Sequence, residues 1–176
     1  DTAEVSVKVL STNRAPVALE DRFAGTEDTV LYLDAAQLIG NDTDADGDPL
    51  TLVSVVQEVS GGRALILPDG RIALTPGADL TGEITFEYTI SDGRLDSEET
   101  GRIVVDFAPV NDAPRAGTDS GFETGEDAAI AIDAASLIAN DVDVEGDSFE
   151  LVGVLDPING SVAFSGGRVI FTPRAD

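Results

Sequence analysis

Carboxylates are the side chains in this sequence whose types and spacing could do chemistry. Asp42, Asp44, Asp46 and Asp48 alternate through "DTDADGD", with Gly47 among them, and Asp141, Asp143, Glu145, Gly146 and Asp147 repeat the pattern in "DVDVEGD". Hard oxygens at alternate positions suit a hard divalent cation, and calcium takes many such ligands in flexible geometry. A helix–loop–helix calcium loop has ligands at positions 1, 3 and 5, Gly at 6 and a bidentate Glu at 12. Counting from Asp42 and Asp141, position 12 is Val53 and Val152. Both copies therefore lack the closing ligand, and that motif is rejected. A solvated acidic turn is the plain alternative, since Asp, Asn and Gly are turn formers. Two features weigh against it. Four carboxylates within seven residues repel one another unless a cation intervenes, and the cluster recurs at the same register.

The rest of the composition narrows the chemistry. There are 34 acidic and 10 basic residues in 176, for a net charge of -24. Such a chain has no electrostatic route to nucleic acid or an anionic membrane. With no His or Cys, it has neither thiolate or imidazole metal ligands nor Ser–His and Cys–His nucleophile pairs. "DSG" at Asp119 to Gly121 matches an aspartic-protease triplet, but the equivalent place earlier reads "EDR", so the second carboxylate of a shared-proton pair is missing. Paired acids could serve a glycosidase, yet these sit on repeated loops. The expectation is a protein that is not an enzyme. No stretch approaches 18 consecutive apolar residues, so membrane insertion by a helix is not expected.

The carboxylates must be positioned by something, and the chain repeats itself. "NRAPVALEDRFAGTEDTVLYLDAAQLIGNDTDADGDPL" from Asn13 answers "NDAPRAGTDSGFETGEDAAIAIDAASLIANDVDVEGDSF" from Asn111, a period of about 98 residues. "EVSVKVL" at Glu4 to Leu10 resembles "RIVVDF" at Arg102 to Phe107. The expected organisation is residues 1–12 as the last strand of a preceding repeat, 13–110 as a full repeat, and 111–176 as a truncated second one. Within the repeat, "TVLYLDA", "LTLVSVV", "RALIL", "RIALTP", "EITFEYTIS" and "GRIVVDF" alternate with period 2, and "SGG", "PDG", "SDG" and "NG" punctuate them. "DAAQLI" and "DAASLI" have room for one helical turn each. About seven short strands per repeat predict an all-β fold of tandem Greek-key β-sandwiches, of immunoglobulin or cadherin kind. Phe23 and Phe122, after the two linkers, are expected in core or pole packing.

In such a sandwich the loops alternate between two poles. The acidic loop falls between the second and third strands, beside the incoming linker. Glu27 and Asp28 fall after the first strand, and Asp79 after the fifth, at the opposite pole beside the outgoing linker with Asn111 and Asp112. The lower pole of one repeat, the linker and the next repeat's acidic loop are thus expected to converge.

The motifs "VNDAP", "GED", "LIANDVDVEGD", "FTP" and "FEYTISDG" resemble the cadherin-like tandem repeats of large bacterial calcium-dependent adhesins and secreted surface proteins of RTX type. The resemblance implies calcium bound between repeats by Glu27, Asp28, Asp79, Asn111, Asp112, Asp141 and Asp143, with Asp147 added, and an earlier site using Asp42, Asp44, Asp46 and Asp48. Arg14 stands where Asp112 stands in the second linker, so the first junction is expected to be weaker. The implied role is a non-catalytic extracellular spacer stiffened by calcium, whose partners are neighbouring repeats. The alternatives are a carbohydrate- or protein-binding module and a polymerising surface-layer or fibre subunit, with strand exchange from Glu4–Leu10.

Overall fold

A computed structural model provides the structure, which describes residues 4, 6–7 and 12–175. The strand expected at Glu4–Leu10 falls mostly outside the described residues. The chain divides into two units, Asp1–Val110 and Asn111–Asp176.

The first unit is a sandwich of two four-stranded sheets. Its elements are β1 (Glu20–Thr26), β2 (Leu31–Asp34), α1 (Ala35–Leu38), β3 (Thr51–Val55), β4 (Glu58–Val59), β5 (Gly62–Ile66), β6 (Arg71–Pro76), β7 (Gly82–Ser91) and β8 (Gly101–Ala108). One sheet has the order β1-β8-β7-β3 and the other β2-β6-β5-β4. All pairings are antiparallel except β1 with β8, which runs parallel from Glu20↔Arg102 to Thr26↔Ala108. The chain crosses between sheets from β1 to β2, β2 to β3, β3 to β4 and β6 to β7, and stays within a sheet along β4–β5–β6 and β7–β8, so the fold is the all-β Greek-key sandwich that the alternation predicts.

Period 2 decides which side chains meet. Ile84, Phe86, Tyr88 and Ile90 of β7 are buried, as are Ile103, Val105 and Phe107 of β8. They join one core with Leu33, Leu38, Ala64, Ile72 and Leu74 from the facing layer. Burying a side chain as fully as Phe86 is worth about 2–3 kcal/mol, so this inward face is what holds the loops in place. Tight turns fix the register. In Pro68-Asp69-Gly70 the Gly70 N–H donates to the Leu67 carbonyl (2.9 Å), and α1 is closed at its start by the Asp34 N–H on Gln37 Oε1 (2.8 Å).

One close approach shapes the upper pole. Tyr88 pairs with Gly101 across the β7–β8 ladder, and a Cβ at Gly101 would stand 2.3 Å from two Tyr88 ring carbons. Glycine there is what lets the ring lie against β8 and carry its hydroxyl toward Leu19 and Asp42.

The second unit contains β9 (Ile130–Asp133), α2 (Ala134–Leu137), β10 (Gly160–Ser165) and β11 (Arg168–Pro173), paired in the order β10-β11-β9. Gly166 and Gly167, with φ of 59° and 73°, make the tight turn between β10 and β11, as a hairpin requires. Asn159, at φ 59°, leads into β10 and is not the hairpin turn itself. Two expectations change here. "FELVGV", the counterpart of β3, forms no strand, because β3 takes its hydrogen bonds from β7 and the described residues of this unit contain no counterpart of β7. Phe122 is 46% exposed, whereas Phe23 packs on the core and is paired with Val105 in the β1–β8 ladder.

Candidate metal-binding loops

The two acidic loops follow α1 and α2, and each begins with an Asn-Asp pair that bonds the incoming segment. Asn41 Nδ2 donates to the Glu20 carbonyl (3.1 Å) and Asp42 Oδ1 accepts the Leu19 N–H (2.8 Å). Asn140 Nδ2 donates to the Thr118 carbonyl (3.2 Å) and Asp141 Oδ1 accepts the Gly117 N–H (2.8 Å). Backbone bridges Val17–Thr43 and Arg115–Val142 lie beside them. In both units, therefore, this pair staples the segment entering the unit to its acidic loop.

The next acid turns the loop. Asp44 Oδ1 accepts the Asp46 and Asp48 N–H groups at 2.8 and 3.0 Å, and Asp143 Oδ1 accepts the Asp147 N–H at 2.8 Å. Gly47 and Gly146 both sit at φ 78°, the left-handed conformation that the turn needs and that glycine takes without steric cost. Asp44 Oδ2 is shut off from solvent and has no hydrogen-bond partner. A buried carboxylate oxygen left this way costs free energy unless a cation or water meets it.

The fifth position of the loop holds the linker. Asp46 Oδ2 accepts the Arg14 N–H (2.8 Å), and Arg14 Nη2 reaches Asp46 Oδ1 (3.1 Å) and the Ala45 carbonyl (2.7 Å). The Arg14 guanidinium and N–H hold the Asp46 carboxyl below its ordinary range. In the second unit Glu145 Oε2 accepts the Asp112 N–H (3.2 Å), and Asn111 Nδ2 donates to the Asp112 carbonyl (2.9 Å). Asp48 faces Arg94 Nη1 at 4.0 Å. Asp92 joins the same pole: its Oδ1 caps the Arg94 and Leu95 N–H groups and its Oδ2 accepts Asn13 Nδ2 (2.7 Å). The Leu95 N–H and Asn13 amide lower its pKa.

At the opposite pole of the first unit, Glu27 is 1% exposed. Its Oε1 accepts the Val110 N–H (2.7 Å) and its own N–H bonds the Ala108 carbonyl (3.0 Å), so it ties the end of β8 to the turn after β1. Asp28 Oδ1 accepts the Asp79 N–H (3.2 Å), which brings those two loops together. Asp28 and Asp79 have φ of 55° and 54°, and Asp127, the counterpart of Asp28, has 58°. The left-handed region is uncommon for a residue with a Cβ, although Asp enters it more readily than most. The structure thus groups Glu27, Asp28 and Asp79 at one pole of the first unit and Asp42, Asp44, Asp46 and Asp48 at the other. In the second unit Asp112 meets Glu145, and Asp141, Asp143 and Asp147 lie in the same acidic loop as Glu145.

Sequence reading missed a buried proton site. The Tyr88 hydroxyl lies 3.0 Å from Asp21 Oδ2 and 3.0 Å from Asp42 Oδ1. A tyrosine hydroxyl has one proton to donate, so it cannot serve two ionised carboxylates at once. Burial, and then the Asp42 charge, push Asp21 up to about 6 from 3.8, and burial between these acids pushes Tyr88 up as well. The available signal was a tyrosine on the inward row of β7, since a buried phenol needs a partner. A group whose folded pKa exceeds its unfolded one stabilises fully below the unfolded value, and that contribution is lost as pH rises through the folded value. Lowering the pH from 7 to 4 should therefore stabilise the first unit through Asp21 by roughly 1–2 kcal/mol, allowing for solvent screening. Melting curves of the parent and Asp21→Asn in chelator check this: the difference should shrink as the pH falls through that window, and a difference constant with pH would refute it.

A β-sandwich unit followed by a second unit that repeats its strand, helical turn and acidic loop defines a class, the tandem β repeat. The family model of the cadherin-like domain matches residues 12–106 and again 110–176, and the chain belongs to that family. No curated protein matches it in sequence. Solved structures similar to it include two of the endo-fucoidan hydrolase MfFcnA4 from glycoside hydrolase family 107, at 17% and 16% identity and TM-scores 0.39 and 0.36, covering 92% of this chain and 24% of those. The endo-fucoidan hydrolase MfFcnA9 of the same family is 14% identical, with TM-score 0.31, over 93% of this chain and 30% of that one. These hydrolases correct one expectation. The statement that the protein is not an enzyme is withdrawn, because the structures it is similar to are those of hydrolases. At such TM-scores the likeness assigns no hydrolase chemistry to this chain's own residues. No helix among the described residues is long and apolar enough to cross a membrane.

Proposed function

We propose that this chain is a calcium-binding repeat region that acts as a stiffened extracellular spacer in a bacterial adhesin or other surface protein. The observation that carries the reading is the acidic loop, built twice with the same hydrogen bonds and leaving Asp44 Oδ2 buried without a partner. Its donors are all hard oxygens, the set that calcium takes. Glu27, Asp28 and Asp79, the linker residues Asn111 and Asp112, and Asp141, Asp143 and Asp147 are proposed to hold calcium where one repeat meets the next. Asp42 and Asp141 contribute by fixing the loop, since one oxygen of each is spent on backbone. Calcium would fix the linker and offset the -24 charge. Small-angle scattering with calcium and with chelator tests this. The expected result is a longer, stiffer particle with calcium; identical profiles would overturn the spacer mechanism.

A further inference from the structure

The two acidic loops are alike in backbone and unlike in the residue that the incoming segment sets against them. In the first unit Arg14 donates its N–H and its guanidinium to both oxygens of Asp46 and to the Ala45 carbonyl, at 2.8, 3.1 and 2.7 Å. Arg94 adds a second positive charge 4.0 Å from Asp48 and is itself placed by Asn13 Oδ1 (3.2 Å). In the second unit the residue at the Arg14 place is Asp112, whose N–H donates to the corresponding Glu145 (3.2 Å). The same backbone contact is therefore made with a cation attached in one loop and an anion attached in the other.

From this difference, and resting on the calcium reading above, we propose that Arg14 is an internal counter-cation that occupies the place of a metal ion in the first loop. The guanidinium meets a carboxylate and a carbonyl oxygen, the ligand types a hard cation would use, and being always charged it needs no calcium to do so. The Asp46 charge is therefore offset at any calcium level, and calcium dependence lies more in the second loop. Asp44 Oδ2, buried and without a partner, is the ligand left waiting in the first loop.

Calorimetric calcium titration of the whole chain tests this, with Arg14→Ala, the charge-matched control Arg22→Ala, and Arg14→Ala/Asp46→Asn. Arg22 pairs with Glu20 and Glu83, away from the loop. The expected result is about one added calcium equivalent in Arg14→Ala, none in Arg22→Ala, and loss of the gain in the double variant. Arg14→Ala should also melt at a lower temperature than Arg22→Ala in chelator, with calcium restoring it. Equal stoichiometry in parent and Arg14→Ala, with the parent taking up calcium, overturns this proposal and leaves the calcium reading standing. A parent that takes up none while Arg14→Ala does overturns calcium binding by the parent and supports the role of Arg14.

Discussion

Asp42→Ala should cost the first unit about 1.5–3 kcal/mol, and the loss should be the same in calcium and in chelator. The magnitude follows from what the carboxylate holds. It accepts the Leu19 N–H at 2.8 Å and contacts the Tyr88 hydroxyl at 3.0 Å. Hydrogen bonds to a charged group are worth about 1.5–3 kcal/mol. Tyr88 is only 1% exposed but keeps Asp21 Oδ2, at 3.0 Å, as its acceptor, so the loss falls chiefly on the Leu19 N–H. Asp42→Asn keeps an oxygen for the Leu19 N–H and should lose less. Asp141→Ala makes an instructive parallel: its oxygen accepts the Gly117 N–H, and no tyrosine counterpart exists among the described residues of the second unit. Its cost should be nearer 1 kcal/mol. Thermal melts in calcium and in chelator check all three variants. A loss for Asp42→Ala confined to the calcium condition would show the residue to be a ligand and not a staple.

Much of the site's placement was legible because a sandwich converts sequence order into pole alternation. Once "RIALTP" and "EITFEYTIS" were read as strands, Asp79 had to lie in the loop between them, and it does. The hydrophobic period identified Phe86, Tyr88 and Ile90 as one face for the same reason. The roles of Asp21 and Asp42 were not legible. Both depend on a hydroxyl 67 and 46 residues away along the chain, delivered there because Gly101 admits the ring. Spacing along one loop says which residues alternate; it does not say which of them turn inward. Phe23 and Phe122 teach the same lesson. Equivalent motifs have different fates because burial comes from the partner strand, β8 for Phe23, and not from the motif.

Calcium should raise the stability of the second unit by about 4 kcal/mol at a free concentration a thousand times the dissociation constant of one site. An ion that binds the folded loop and not the unfolded chain stabilises it by RT ln(1 + [Ca]/Kd). For a unit of this size each kcal/mol shifts the melting temperature by roughly 4–8 °C, so the expected rise is upwards of about 15 °C. Two competing effects must be separated from it. Salt alone screens the repulsion of a chain with net charge -24, with a Debye length of about 8 Å at 0.15 M ionic strength, so calcium and chelator samples need matched ionic strength. Magnesium supplies the same charge but demands near-octahedral geometry and gives up its waters reluctantly; it should give a far smaller rise. Asp143→Asn is the decisive variant. Its amide oxygen can still accept the Asp147 N–H that Asp143 Oδ1 accepts at 2.8 Å, so the turn survives while a ligand charge is removed. Calorimetric scans should show the calcium-induced rise largely lost in that variant, with its chelator melting temperature close to the parent's. A rise that magnesium or sodium reproduces, or that survives in Asp143→Asn, would reduce calcium to a diffuse counter-ion, because screening of the whole acidic surface does not depend on one carboxylate in one turn.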